Sequence, residues 1–202
     1  MTHSFTRRHF MGTGLALGAS LGTTLGTPAL AITQSAARSH VDGLVAEVNA
    51  VISSGASEAQ MLRRFEQIFD RYADVPTIAA YVLGVERRNA TPAQLTAFTN
   101  AYKTYVARKY GRRFREFIGG QIEVRGVRDL PRGVEVQTMA VLVGQSPFEV
   151  DFHVEDSRGR PLFFNIVIEG INMLLSERAE VLAMLDARGG DLNRLIAELP
   201  QT

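Results

Sequence analysis

The nearest approach to reactive chemistry in this sequence is a histidine two residues from an aspartate. In "FEVDFHVED", residues 148–156, Glu149, Asp151, His153 and Glu155 alternate with Phe148, Val150, Phe152 and Val154. Alternation of this kind puts the four polar side chains on one face of a β-strand and the four apolar ones on the other. A hydrolase needs a nucleophile, a base and an orienting acid within hydrogen-bond reach of one another. Side chains two apart on a strand stand about 7 Å apart, and no serine nearby occupies a Gly-x-Ser-x-Gly elbow. Metal ligands must converge on one point at about 2–2.5 Å, which four positions on one straight strand do not do. The expectation is therefore a solvated outer face, with no catalytic residue and no metal site.

A second candidate acid is Glu169, which follows the apolar run "FFNIVI" and precedes Gly170. A catalytic carboxylate usually comes with a second carboxylate, a histidine or a metal. Here the neighbours suggest a corner between a strand and a helix. Gly170 suits a tight turn, and Arg178 stands on the helix that follows. Glu169 is expected to accept backbone N–H bonds or to pair with Arg178, so that Glu169, Gly170 and Arg178 form a structural set.

Other chemistries are limited by composition. Cysteine is absent from all 202 residues, so thiolate zinc sites, a cysteine nucleophile and disulfides are ruled out. No phosphate-cradling glycine loop or dinucleotide fingerprint is present. No cofactor is expected. The first 31 residues read as an export signal of the twin-arginine type: "TRRHFMG", a weakly apolar Gly- and Thr-rich stretch, then Ala29-Leu30-Ala31 as a small-x-small cleavage site. The apolar stretch is well short of the ~20 residues a membrane span needs. Cleavage near Ala31 leaves 171 residues, enough for a single domain with its own core. It also removes Arg7 and Arg8, taking the formal net charge from +1 to −1. A nucleic-acid binder would carry a clear basic excess. Nucleic acid and stable membrane insertion are thus excluded as expectations, and the predicted location is the periplasm.

Helices fill residues 38–118. Val41, Leu44, Val45, Val48 and Ile52 recur at helical spacing, and Ser57 with Gln60 forms a capping box ahead of Leu62, Phe65, Ile68, Phe69 and Tyr72. Asp74-Val75-Pro76 starts a short helix. "TPAQ" at 91–94 starts a long one, whose stripe runs from Leu95 through Tyr105, Tyr110 and Phe114 to Phe117 before Gly119-Gly120 stops it. From Gln121 to Gly170 the period changes to two, and four strands with short connections form an antiparallel sheet. Ser176 is expected to cap a helix over 177–188, and Asp191 a last one ended by Pro200; the helical end as a whole covers 173–199. The fold class is α+β, a curved four-stranded antiparallel sheet packed against several helices. Eleven phenylalanines and five tyrosines, all but Phe5 and Phe10 beyond the signal, suit either a filled core or an apolar chamber between the layers. Periodicity does not separate the two.

The stretch from Ala79 to Val124, with "YVLG" at 81–84, "ATPAQ" at 90–94, Phe98 and Tyr102, and Tyr110-Gly111, resembles the MlaC, or toluene-tolerance, family of periplasmic phospholipid-binding proteins. "VDFHV" at 150–154, "VIEGINML" at 167–174, Arg178 and "GGDLNRLIAEL" extend the likeness over roughly residues 40–199. Three positions depart from the family pattern. Pro161 stands where a tryptophan is common, Phe164-Asn165 replaces a Tyr-Asp pair, and Asn172 replaces a serine.

The resemblance implies a lipid carrier with two acyl chains in an apolar cavity between helices and sheet. Its partners would be an inner-membrane ABC transporter with an MCE-domain subunit and an outer-membrane lipoprotein–porin complex, and its role would be to maintain outer-membrane lipid asymmetry. On that basis Phe65, Phe69, Leu83, Phe98, Tyr102, Tyr105 and Val106 would line the cavity from the helices, and Phe152, Ile168, Ile171 and Leu174 from the other side. Arg87, Arg88, Arg108, Arg112 and Arg113 would meet a phosphate headgroup or an acidic partner. Two rival readings stay open. One is an adaptor of the transporter with a filled core. The other is an enzyme on a cone-shaped, nuclear-transport-factor-like (NTF2-like) scaffold, using Asp151 and His153 on a small apolar substrate.

Overall fold

Thr33 opens the first helix, its hydroxyl accepting the N–H of Ala36, and α1 runs Gln34–Ile52. The computed structural model describes residues 32–111, 116–157 and 159–202. The expected signal segment, Arg112, Arg113 and Phe114 lie outside them. α1 begins four residues earlier than its apolar stripe suggests, because Thr33 caps it and Ala37 is already fully buried. α2 (Glu58–Tyr72) starts on the Ser57/Gln60 capping box, and α3 (Val75–Val82) on Asp74. A short 3-10 helix, Gly84–Arg88, leads to α4 (Pro92–Gly111). Thr91 and Gln94 exchange side-chain-to-backbone bonds at its start, 2.9 and 3.2 Å.

Among the described residues α4 stops at Gly111, and Phe117 belongs to a 3-10 turn rather than to the long helix expected through residue 118. At Gly111 the α4 backbone lies against the Leu62 side chain of α2. A Cβ there would stand 2.2 Å from Leu62 Cδ2, so any other residue requires the Leu62 side chain to move.

Five strands follow, one more than expected: β1 (Gln121–Asp129), β2 (Val134–Val141), β3 (Phe148–Ser157), β4 (Arg160–Ile168) and the two-residue β5 (Ile171–Asn172). They form one antiparallel sheet in the order β1-β2-β3-β4-β5. A two-residue strand carries no period, so alternation does not reveal β5. α5 (Met173–Asp186) and α6 (Leu192–Glu198) complete the domain, and the described residues form one compact unit. α5 is capped not by Ser176 but by Asn172, whose side chain accepts the Leu175 N–H at 3.1 Å. Asn165 on β4 accepts the next free donor, the Leu174 N–H, also at 3.1 Å. Two of the three departures from the family pattern therefore build the entrance to α5.

α1 packs directly on β1, β2 and β4, while α4 packs on α2, α3 and α6. Two polar ties fasten helices to sheet. At one edge Asn49 of α1 treats β1 as a strand would, donating to Ile122 O at 3.1 Å and accepting from Ile122 N at 3.0 Å. At the other, Asp74 donates its N–H to Phe163 O of β4 at 2.8 Å, and Ala73 and Phe163 form a parallel bridge. The buried Asp74 carboxylate accepts from Thr77 N, Thr77 Oγ1 and Ser157 Oγ.

Removing the first tie leaves two partly buried backbone groups unpaired, which costs roughly 1–3 kcal/mol. Asn49→Ala should lower unfolding free energy by about 2 kcal/mol in urea titration, and a loss under about 0.5 kcal/mol would show the tie to be dispensable. His40 gives a second test. Burial lowers its pKa below 6.5, against the opposing bond to Tyr72 O. The unfolded chain then protonates first, so stability is complete above pH 6.5 and declines as the pH falls through that value. His40→Gln should flatten this decline in a series of melts between pH 5 and 7.

Candidate functional site

Between helices and sheet lies a cavity of about 670 Å³ with a mostly apolar wall. The helices contribute Leu44, Val48, Phe65, Ile68, Phe69 and Ile78, with Tyr102, Val106, Ala107 and Tyr110 from α4. The sheet answers with Ile122, Phe148, Val150, Phe152, Phe163 and Ile168. Register explains the sheet side: Val150 pairs with Ile168 and Phe152 with Ile166, so apolar residues of β3 and β4 stand side by side on the helix-facing surface. The wall's exposed residues, Glu116, Gln145, Glu169 and Ile171, mark the mouth. Ile171 is 59% exposed, and exposed Ile118, Val143 and Leu175 lie within a few residues along the chain from the mouth residues.

Of the eleven residues expected to line a cavity, eight do: Phe65, Phe69, Tyr102, Val106, Phe152, Ile168, Ile171 and Leu174. Leu83, Phe98 and Tyr105 do not. Leu83 and Phe98 are fully buried in the helical core, where Phe98 stacks on Tyr102 at 5.8 Å between ring centroids. Tyr105 turns toward α5 and donates to Glu180 at 2.7 Å. A helical stripe is wider than the cavity, so its two margins pack against other helices. Sequence reasoning missed the wall on α1, on β1 and just beyond β2, namely Leu44, Val48, Ile122 and Leu142. Their periodicity marks them as inward-facing, and nothing in it distinguishes an inward residue that meets a neighbour from one that meets a void.

The arginines behave differently from expectation. Arg87 and Arg88 are exposed on the 3-10 helix, away from the cavity wall. Arg108 donates to Pro200 O and fastens the C-terminal turn to α4. The charged wall residues among those described are Glu116, Glu169 and Glu177.

Glu169 has a positive φ of 50° and Gly170 one of 77°, the two left-handed residues of a tight two-residue hairpin between Ile168 and Ile171. A non-glycine residue in that region costs roughly 1 kcal/mol or more. Its carboxylate and N–H offset this by bonding Glu149 N at 2.9 Å and Glu149 O at 3.1 Å. Arg178 is not its partner. The guanidinium lies over the Tyr81 ring at 5.3 Å and against Gly84, pinning α5 to the end of α3. Glu169 is thus a turn residue at the mouth.

The face of β3 expected to be solvated is only partly so. Glu149 is exposed, but the Glu155 side chain is 12% exposed and held in a fork by Arg132 at 2.5 and 2.9 Å. Glu135, buried on β2, receives Arg128 at 2.9 Å and His153 Nε2 at 3.3 Å, while His153 Nδ1 meets Asn165 at 3.3 Å. Burial, with Glu135 and Glu149 nearby, raises the Asp151 pKa. Both His153 nitrogens are engaged, Asp151 is not among their partners, and neither residue reaches the cavity wall. Among the described residues no group of three His, Asp or Glu could hold a metal ion.

The family model for the MlaC protein matches residues 41–201. The chain belongs to the MlaC family. A solved structure has the same fold: the phospholipid-binding protein from Ralstonia solanacearum, determined in complex with a phospholipid. It is 21% identical, with a TM-score of 0.69 over 82% of this chain and 95% of that one. The shared fold puts the MlaC element "VIEGINML" at the cavity mouth of this chain, across β4, the Glu169-Gly170 turn, β5 and the start of α5.

The division between core and wall is testable. Phe98→Ala, which opens a void in a closed core, should cost about 3–5 kcal/mol. Phe69→Ala, at a half-buried wall position, should cost roughly 1–2 kcal/mol. Equal losses in parallel denaturant titrations would overturn the division.

Proposed function

We propose that this protein is a periplasmic phospholipid carrier that shuttles lipid between an inner-membrane ABC transporter and the outer membrane, maintaining lipid asymmetry there. The observation that carries the reading is the apolar cavity with its mouth at the surface, in a chain of the MlaC family. Residues 1–31 act as the twin-arginine signal, cleaved near Ala31, and residues 32–202 are the lipid-binding domain. No helix among the described residues is long and apolar enough to cross a membrane. An MCE-domain subunit of the transporter and a lipoprotein–porin complex are the docking partners.

The energetics suit that role. Drawing a two-chain phospholipid into water exposes about 30 methylenes at ~0.8 kcal/mol each, more than 20 kcal/mol in total. A wall of Phe65, Phe69, Val106, Phe152 and Ile168 replaces the hydrocarbon of the bilayer and removes most of that cost. Transfer then approaches neutrality and needs only a docked donor or acceptor. No bond is made or broken, so the work requires no nucleophile, base or metal. The acyl chains occupy the cavity and the headgroup remains at the mouth, near Glu169 and Ile171.

Native mass spectrometry of the mature protein, purified without detergent, should show a mass increment matching a two-chain phospholipid. Ala107→Trp fills cavity space from α4 and should leave a folded protein without that increment. A native protein that stays lipid-free after incubation with liposomes and the transporter would replace the carrier with an adaptor. Full lipid loading of Ala107→Trp would move the acyl chains out of this cavity.

A further inference from the structure

The cavity has a closed end, and three elements locate it. On β3 the wall runs inward from Phe148 through Val150 to Phe152, and the next residue on that face, Val154, is fully buried and off the wall. On α1 it runs from Val48 to Leu44, and Val41, one turn further, is again fully buried. On α4 it stops at Tyr102, with Phe98 closed behind it. The three stops lie near one level. Val154 pairs with Phe163, Phe163 bridges Ala73, and the Tyr72 carbonyl beside Ala73 accepts from His40, the neighbour of Val41. Lys103, next to Tyr102, donates to Asp70, next to Phe69, whose ring meets Phe163. Phe148 stands at the other end, beside Glu149, whose N–H the mouth residue Glu169 accepts.

The flank of rings that closes the inner end is stiff. Phe163 lies between Phe69 and Phe152, with centroids at 6.0 and 5.5 Å. Its carbonyl accepts the Asp74 N–H at 2.8 Å, so its backbone is held as well. Behind it Val154 and its β2 partner Val134 are closed, and a packed core takes added methylenes only with strain. At about 3.3 Å per residue, the strand from Phe148 to Val154 spans about 20 Å. With C–C bonds near 1.5 Å, an extended acyl chain grows by about 1.3 Å per methylene, so this depth takes a chain of about sixteen carbons.

We infer that Phe163, wedged between Phe69 and Phe152, sets the longest acyl chain that the carrier covers, at about sixteen carbons. This rests on the carrier reading and makes Phe163 a specificity-determining residue for chain length. In a bilayer every methylene is covered, whatever the length of the chain. In the protein, a chain stopped at Phe163 leaves its surplus at the mouth in water. Each uncovered methylene then lowers loading by a factor of about four.

The test equilibrates the mature protein with vesicles of phosphatidylcholines in equal amounts, each with two identical monounsaturated chains of fourteen to twenty-two carbons. Bound lipids are then counted by native mass spectrometry. Loading should be level up to a break at sixteen to eighteen carbons. Beyond it, loading should fall on the order of tenfold or more for every two carbons added to each chain. Phe163→Ala should move the break upward by about two to four carbons, the reach of the lost ring at that rise. Phe69→Ala opens the same end from α2 at a smaller cost in stability, and should move the break the same way. Normal loading with a flat profile, or with a break elsewhere, would overturn the inference and leave the carrier intact. So would a break that neither folded variant moves. Uptake of no lipid at any length would remove the carrier reading itself, and this inference with it. The native profile decides the matter even if Phe163→Ala fails to fold.

Discussion

The architecture depends on two polar ties that hold the helices at a set distance from the sheet. Asn49 occupies the open hydrogen-bonding edge of β1 at Ile122, and Asp74 joins the start of α3 to β4 at Phe163. Layers of secondary structure normally stay together because their apolar faces exclude water from each other. Here directional bonds fix the two edges, so the middle can retain space that close packing would otherwise remove. The remaining core lies around α1, α3 and α4, where Val41, Val82, Leu83 and Phe98 are fully closed.

This arrangement divides the aromatic side chains into two populations with different work. Phe98 stacks within the helices and supports them, and Tyr102 beside it has a ring in both the core and the wall. Phe163 meets Phe69 at a tilt and Phe152 edge-on, with centroids 6.0 and 5.5 Å apart, and the three form the cavity's aromatic flank. Rings are well suited to such a flank, because they present large apolar area with few rotatable bonds. The cavity keeps its form through stiff side chains rather than through contact across it.

How much of this was legible follows from which signals have a period. The amphipathic stripes of α1 and α2, the capping boxes at Ser57 and Thr91, and the alternation in β3 identify their elements directly. The start of α5 was misplaced by four residues because Asn172 and Ser176 are both competent caps, and Asn165, distant in sequence, completes the choice. Eight wall residues were identified because they sit near the middle of their stripes. Leu83, Phe98 and Tyr105 were misassigned because the width of a cavity is a tertiary quantity. That Glu169 accepts a backbone N–H was legible, but not that the donor is Glu149, and Arg178, which had Glu169 as a plausible mate, meets the Tyr81 ring instead.

The ends of the sheet bear on how such a protein survives at high concentration. An exposed strand edge is a template on which another chain can pair. One edge here is β1, where Asn49 occupies the backbone groups of Ile122 and a register shift between Val124 and Gly126 bends the strand. The other is β5, only two residues long before α5 begins. Among the described residues, a molecule that shows an apolar mouth to its surroundings thus offers little that would let neighbours polymerise strand to strand.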